Sequence, residues 1–273
     1  MGKCSYHNSE HPAKLIKNFT EQCERLGIAI GGECPIKLIM ETSNKLKVLQ
    51  SEYQIFNKIV TEVPSWPRNI DLLMTTFPAT EKEGFTKGLA GYVANKAYNS
   101  MNNNTLAYIM VSSFKEEKVR PFSIVDIFTS AGFKFIDTII WVKNKFVPTQ
   151  GTKRLNNVFD YVFMFSKGDG YHLNREAVAY LKSQSMPDSD EEYLCPGNVW
   201  KIKIEERDVA PVELFECLIK LSNLLPNSLI VDPFMNTGPT LRAALQLEHS
   251  FWGCEPEKNN FKRCKKIIEE LKK

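Results

Sequence analysis

From residue 69 onward the chain alternates short apolar runs with longer helical patterns, and this alternation restricts the fold more than any other feature. "DLLMTTF", "TLAYIMVSSF", "FIDTIIWVK", "DYVFMFSK", "NSLIVDPF" and "SFWGCEP" have the length, the β-branched and aromatic content and the flanking turns of strands. Helix candidates lie between several of them, over residues 86–101, 121–131, 212–225, 239–247 and 257–272. Strands that are apolar almost throughout must be covered on both faces, so the pattern predicts a doubly wound α/β domain with a mostly parallel sheet. Ligand sites in such sheets lie at the carboxyl ends of strands, which is where "TTFPAT", residues 75–80, would sit.

The first part of the chain has a different texture. Residues 12–26 and 35–60 read as helices, the second with Ile39, Leu46, Leu49, Tyr53, Phe56 and Val60 on one apolar stripe. Pro64 and Pro67 break that pattern. Residues 1–68 are therefore expected to form a helical N-terminal extension and residues 69–273 the main domain. A chain of 273 residues, 43% hydrophobic, can bury a full core. No apolar run approaches the roughly 20 residues of a membrane span, and the start lacks a signal-peptide core, so a soluble intracellular protein without a membrane partner is expected. "MGKCSY" places Tyr6 where a lipidation motif wants Ser or Thr.

Seven cysteines in no repeating spacing suit a reducing compartment better than a disulfide framework. Cys4, His7, Cys23 and Cys34 contain only one close pair, so ordinary thiols are expected there and no metal. A net charge of +3 permits a nucleic-acid partner without demanding one.

The richest segment is "SLIVDPFMNTGPTLRAALQLEHSFWGCEPE", residues 228–257. A strand ends at Asp232, a turn with Asn236 and Gly238 follows, a helix starts near Pro239, and a second strand ends at Glu255. Residues tolerant of positive φ let a backbone approach a ligand closely, and an acidic residue at the next strand tip accepts hydrogen bonds from ribose hydroxyls. The pattern predicts a nucleotide-type cofactor. A nicotinamide dinucleotide is the weaker candidate because no G-x-G-x-x-G follows a strand.

This segment resembles the β-class amino methyltransferases of DNA, whose cofactor motif runs approximately D-P-F-x-G-S-G-T-T, then paired alanines, then G-x-E. Asp232, Pro233, Phe234, Asn236, Thr237, Gly238, Pro239 and Thr240 stand at the motif positions, followed by Ala243, Ala244, Gly253 and Glu255. Asn236 replaces a glycine and is the residue type most willing to take the left-handed conformation after glycine. Pro239 falls where a first-turn helix proline is tolerated. The resemblance implies a Rossmann-like methyltransferase fold. It implies S-adenosyl-L-methionine bound by Asp232, Pro233, Phe234, Asn236, Gly238, Thr240 and Glu255.

The resemblance continues upstream, in the β-class order with the catalytic motif first, and covers roughly residues 69–260. Trp141, Lys143, Pro148, Arg154 and Asp160 match the family's W-x-K, proline, basic and acidic positions, and "GNVWKI" and "APVEL" resemble its link toward the cofactor half. Lys143, Lys145, Lys153 and Arg154 form a basic segment suited to phosphate contacts, and equally to a solvated loop. The family's catalytic motif, D/N/S-P-P-Y/F/W, aligns with Thr76, Phe77, Pro78 and Ala79. The resemblance implies that the Thr76 hydroxyl and the Phe77 carbonyl accept hydrogen bonds from the amine of a flipped base, with Pro78 stiffening the turn. Ala79 offers no ring on which the base can stack, which removes about 1 to 3 kcal/mol of base binding.

The acidic stretch "SQSMPDSDEEYLC", residues 183–195, reads as a surface loop, and the roughly 30 residues over 168–197, where the family places its target-recognition region, are poor material for reading a major groove. The expected reaction is methyl transfer to an exocyclic amino group of adenine or cytosine, in DNA rather than RNA. The alternative is an inactive methyltransferase-like subunit that binds nucleic acid beside an active partner, and both a homodimer and a partner subunit remain open.

Overall fold

The computed structural model describes residues 52–77, 86–112, 120–145, 155–181, 197–204 and 209–271. Pro78, Ala79, Pro148, Lys153, Arg154, the acidic stretch and the N-terminal cysteines lie outside the described residues.

Eight strands form one sheet in the order β1-β8-β7-β2-β3-β5-β4-β6. In chain order they are β1 (Tyr53–Phe56), β2 (Ile70–Thr76), β3 (Met101–Ser112), β4 (Lys134–Val142), β5 (Phe159–Lys167), β6 (Val199–Trp200), β7 (Leu229–Asp232) and β8 (Ser250–Cys254). Five helices accompany them among the described residues: α1 (Lys87–Ser100), α2 (Arg120–Ser130), α3 (Val212–Leu221), α4 (Pro239–Gln246) and α5 (Lys258–Leu271). Pairing is parallel everywhere except where β5 runs against β3 and β4. The mostly parallel, doubly wound expectation holds, with β5 as the one reversed strand.

Strand alternation builds the two cores. On β2, Leu72 and Met74 join Leu214, Phe215 and Leu218 of α3, Leu241, Ala243 and Ala244 of α4, and Ile267 and Ile268 of α5. Leu73, between them, joins Ala90, Val93 and Ala94 of α1 and Ile124 and Phe128 of α2 on the other face. Helices on both sides explain why Leu106 to Val111 of β3 can be apolar without interruption and wholly buried. The Thr86 hydroxyl accepts from the Leu89 amide at 3.0 Å and fixes where α1 begins.

One expected element is different. Tyr53–Phe56, read as the end of a helix, is strand β1 and pairs parallel with β8, Tyr53 opposite Phe251 and Phe56 opposite Cys254. Tyr53 and Phe56 lie three apart and satisfy a helical stripe, yet an open strand edge beside β8 supplies the backbone partners that a short segment needs. One compact unit runs from Ser51 to Lys273. No helix among the described residues is long and apolar enough to cross a membrane.

Candidate active site

β7 and β2 are neighbours, Leu72 opposite Ile230 and Leu73 opposite Val231, so their carboxyl ends open onto one rim. From β7 the chain enters a turn in which Asn236 adopts φ 48° and Gly238 φ 89°. Both left-handed positions coincide with the residues the sequence offers for them. A Cβ on Gly238 would also lie 2.9 Å from Ile267 Cδ1 and 3.0 Å from Cys264 Sγ, so α5 packs directly against the turn. Pro239 opens α4 with Gly238 as its N-cap. The Cys264 thiol, its pKa pushed up to about 12 chiefly by burial, donates to the Asn236 carbonyl at 3.3 Å.

Asp232 is 2% exposed at the end of β7. Its Oδ1 accepts from the Thr75 hydroxyl at 2.5 Å and the Phe234 amide at 3.0 Å, and the Thr240 hydroxyl also donates to it. Burial pushes its pKa up to about 6 against these three donors, and the charge of Glu255 adds to the rise. Glu255, just past β8, is buried too and sits above the usual carboxylate range for the same reason. It accepts from the Glu257 amide at 2.8 Å, from the Asn236 amide and from the Asn260 side chain. Asn57 holds the same bend from outside, donating to the carbonyls of Glu255 at 2.8 Å and Pro256 at 3.0 Å. A carboxylate offers about four lone-pair sites, so each keeps acceptor capacity beyond its three donors.

The structure thus gathers Asp232, Pro233, Phe234, Asn236, Gly238 and Thr240 along the end of β7, the turn after it and the start of α4, with Glu255 reaching the same turn from the end of β8. Close backbone, a glycine that cannot carry a side chain and two buried acids suit a nucleoside carrying positive charge, which fits S-adenosyl-L-methionine.

At the end of β2 the two threonines diverge. Thr75 is 1% exposed, whereas Thr76 is half-buried and shares the strand face of Leu72 and Met74. Phe77 donates its amide to the Met110 carbonyl at 3.0 Å. Its ring, 2% exposed, packs edge-on against Phe128 at 6.1 Å and against Phe234 at 5.1 Å. The ring anchors the end of β2 against Phe234 of the turn after β7 and is itself taken up by packing.

The basic segment separates as well. Lys143 is paired with Asp160 at 2.9 Å, the two side chains 16% and 8% exposed, so its charge is compensated within the domain. Lys145 is exposed. Sequence reading passed over Lys201 and Lys203, which follow β6 beside β4 and are exposed while Ile202 and Ile204 face the core. Their signal was the strict alternation of "KIKI". The Trp141 indole donates to the Ile202 carbonyl at 2.9 Å and Asn144 accepts from the Ile204 amide at 2.8 Å, which fixes this segment beside the basic end of β4.

A family model described as DNA methylase, of the N6/N4 type, matches residues 83–266. Type II methyltransferase M.MjaI of Methanocaldococcus jannaschii is 27% identical over 167 residues, 54% of this chain and 52% of that protein. The chain spans about half the length of the curated relatives it matches. Among solved structures, the M1.HpyAVI-SAM complex aligns at TM-score 0.57 and 23% identity, covering 78% of this chain and 98% of that one. PvuII DNA methyltransferase, cytosine-N4-specific, aligns at TM-score 0.60 and 14% identity, covering 82% of this chain and 92% of that one. At these identities the structural likeness establishes the fold.

Proposed function

The chain belongs to the DNA methylase family, and on that premise we propose that it transfers a methyl group from S-adenosyl-L-methionine to an exocyclic amino group of adenine or cytosine in DNA. One observation carries the reading: two buried carboxylates, Asp232 and Glu255, stand at neighbouring strand ends and are linked through the left-handed turn at Asn236. Glu255 would hold the ribose hydroxyls of the cofactor, and Asp232 would hold its cationic methionine part. Asn236 and Gly238 let the backbone come close, while Pro233, Phe234 and Thr240 hold the turn. When bound, the cofactor supplies an electrophilic methyl group.

The residues of the chain position the nucleophile. The Thr76 hydroxyl and the Phe77 carbonyl would accept hydrogen bonds from the target amine and so orient its lone pair for methyl transfer, with Pro78 the next residue of the motif. The buried Phe77 ring keeps that carbonyl in register with Phe234 of the cofactor loop. Lys145, Lys201 and Lys203, at the basic ends of β4 and β6, would contact phosphates and position DNA without reading its sequence, a role the sequence also offers to Lys153 and Arg154. Lys143 acts through Asp160. The reading of an inactive subunit gains no support from the family match.

The test is incubation of the purified protein with duplex DNA and methyl-labelled cofactor, followed by nucleoside analysis. Label in N6-methyladenine or N4-methylcytosine is expected. A protein that binds the cofactor but labels no nucleic acid would sink the proposal.

A further inference from the structure

The buried hydroxyl of Thr75 has no part in the chemistry above. It lies one residue before Thr76, 1% exposed, and donates to Asp232 Oδ1 at 2.5 Å across the β2–β7 junction. A hydroxyl removed from water needs an acceptor, and this one has found the carboxylate on which the proposed cofactor site depends. Valine would fill the same shape on the strand, so the hydroxyl alone distinguishes the residue. We propose that Thr75 is a positioning residue whose hydrogen bond fixes the orientation and charge of Asp232, and so couples cofactor binding to the strand that ends in the catalytic turn. The inference rests on the reading of Asp232 as a cofactor contact.

Hydrogen bonds to an ionised acceptor are about twice as strong as neutral ones, and Asp232 needs them. Burial favours its neutral form, and Thr75 is foremost among the groups that oppose this, ahead of the Thr240 hydroxyl from α4 and the Phe234 amide from the turn. From β8, Glu255 pushes the other way. The thiols of Cys254 on β8 and Cys264 on α5 also feel the Asp232 charge, and burial raises both well above an ordinary thiol. The bond is mechanical as well as electrostatic. β2 delivers Thr76 and Phe77 to the rim, so a shift of β2 along β7 that moved the catalytic turn would stretch the Thr75–Asp232 bond too.

The Asp232 carboxyl is followed by carbon-13 NMR titration in the full chain without cofactor, for wild type, Thr75→Val and Thr75→Ser. Affinity for S-adenosyl-L-methionine is measured on the same proteins by calorimetry as a function of pH. The expected midpoint is about 6 in wild type, higher by about one pH unit in Thr75→Val, and restored in Thr75→Ser. Affinity at neutral pH should fall about twofold in Thr75→Val, as the ionised fraction of Asp232 drops from about 0.9 to about 0.5, recover as the pH is raised, and return in Thr75→Ser. An unchanged midpoint and an unchanged affinity in Thr75→Val would overturn the inference.

Should Thr75→Val not fold, the double variant with Asp232→Asn decides. Regained stability places the defect in a carboxylate left without its donor, and no regain overturns the inference. A wild-type protein that fails to bind the cofactor, or Asp232→Asn binding as tightly as wild type, sinks the cofactor reading instead, while the NMR midpoint still decides whether Thr75 governs the charge of Asp232.

Discussion

The rim of the sheet has two halves held in different ways. Around β7 and β8 almost every feature is set by backbone: two left-handed residues, a glycine packed against α5, and a carboxylate tied to the amide of the turn it faces. At the end of β2 the backbone leaves the sheet with one amide bond to Met110, and the ring of Phe77 sinks into the core. The chemistry proposed there rests on the half-buried hydroxyl of Thr76 and on the Phe77 carbonyl. A cofactor site can be specified by conformation, whereas an acceptor for an amine must be specified by the side chain that carries it.

Substitutions at the two halves should therefore fail in different ways. The largest effect is expected at the proposed catalytic turn. Thr76→Val should lower kcat by about a hundredfold, in the range seen when one preorganised polar group is removed from a transition state, with cofactor affinity unchanged in calorimetry. A matching loss of cofactor affinity would show that the halves are not separable.

Gly238→Ala should do the reverse. It forces a side chain into a left-handed position and against Ile267 and Cys264, costing about 1 to 3 kcal/mol of stability and weakening cofactor binding, both measurable by thermal shift with and without cofactor. Wild-type behaviour would mean that the turn is less constrained than its φ of 89° indicates.

A third test concerns acid. His249, buried with no hydrogen-bond partner for Nδ1, has its pKa lowered to about 4 from 6.5 by burial. Its folded pKa lies below the unfolded one, so the stability it contributes is complete above 6.5 and is lost as the pH falls through about 4. Asp232 has the opposite sign: its raised pKa makes its charge costly above about 6, and that cost is relieved as the pH falls toward 3.8. His249→Gln should leave the Asp232 trend exposed, so that the variant loses less stability than wild type on acidification. Equal losses would remove His249 as the acid-sensitive group.

The smallest effect is expected at the basic rim. Lys203→Ala should weaken DNA binding a few-fold across all sequences and reduce the salt slope by about one, without changing kcat at saturating DNA. An unchanged slope would take Lys203 off the phosphate path.

The fold was legible where local chemistry determines it. Asn236, Gly238 and Pro239 announce a left-handed turn into a helix, and the apolar runs of β2, β3 and β7 announce strands covered on both faces. β1 was not legible, because Tyr53 and Phe56 satisfy a helical spacing as well as a strand, and only the distant edge of β8 decides between them. The reversal of β5 is likewise a long-range choice, made by pairing with β3 and β4. At the site, the sequence presents Thr75 and Thr76 as equivalents. Strand alternation turns one toward the rim and the other toward a buried partner 157 positions away. Lys143 looked like its basic neighbours until Asp160, across the hairpin, neutralised it.

The central claim is that the turn after β7 binds S-adenosyl-L-methionine through Asp232. Calorimetric titration of the protein and of Asp232→Ala tests it most directly. The account predicts saturable one-site binding by wild type and loss of that binding in Asp232→Ala, with the variant still folded by circular dichroism. Equal affinity in the two proteins would contradict it.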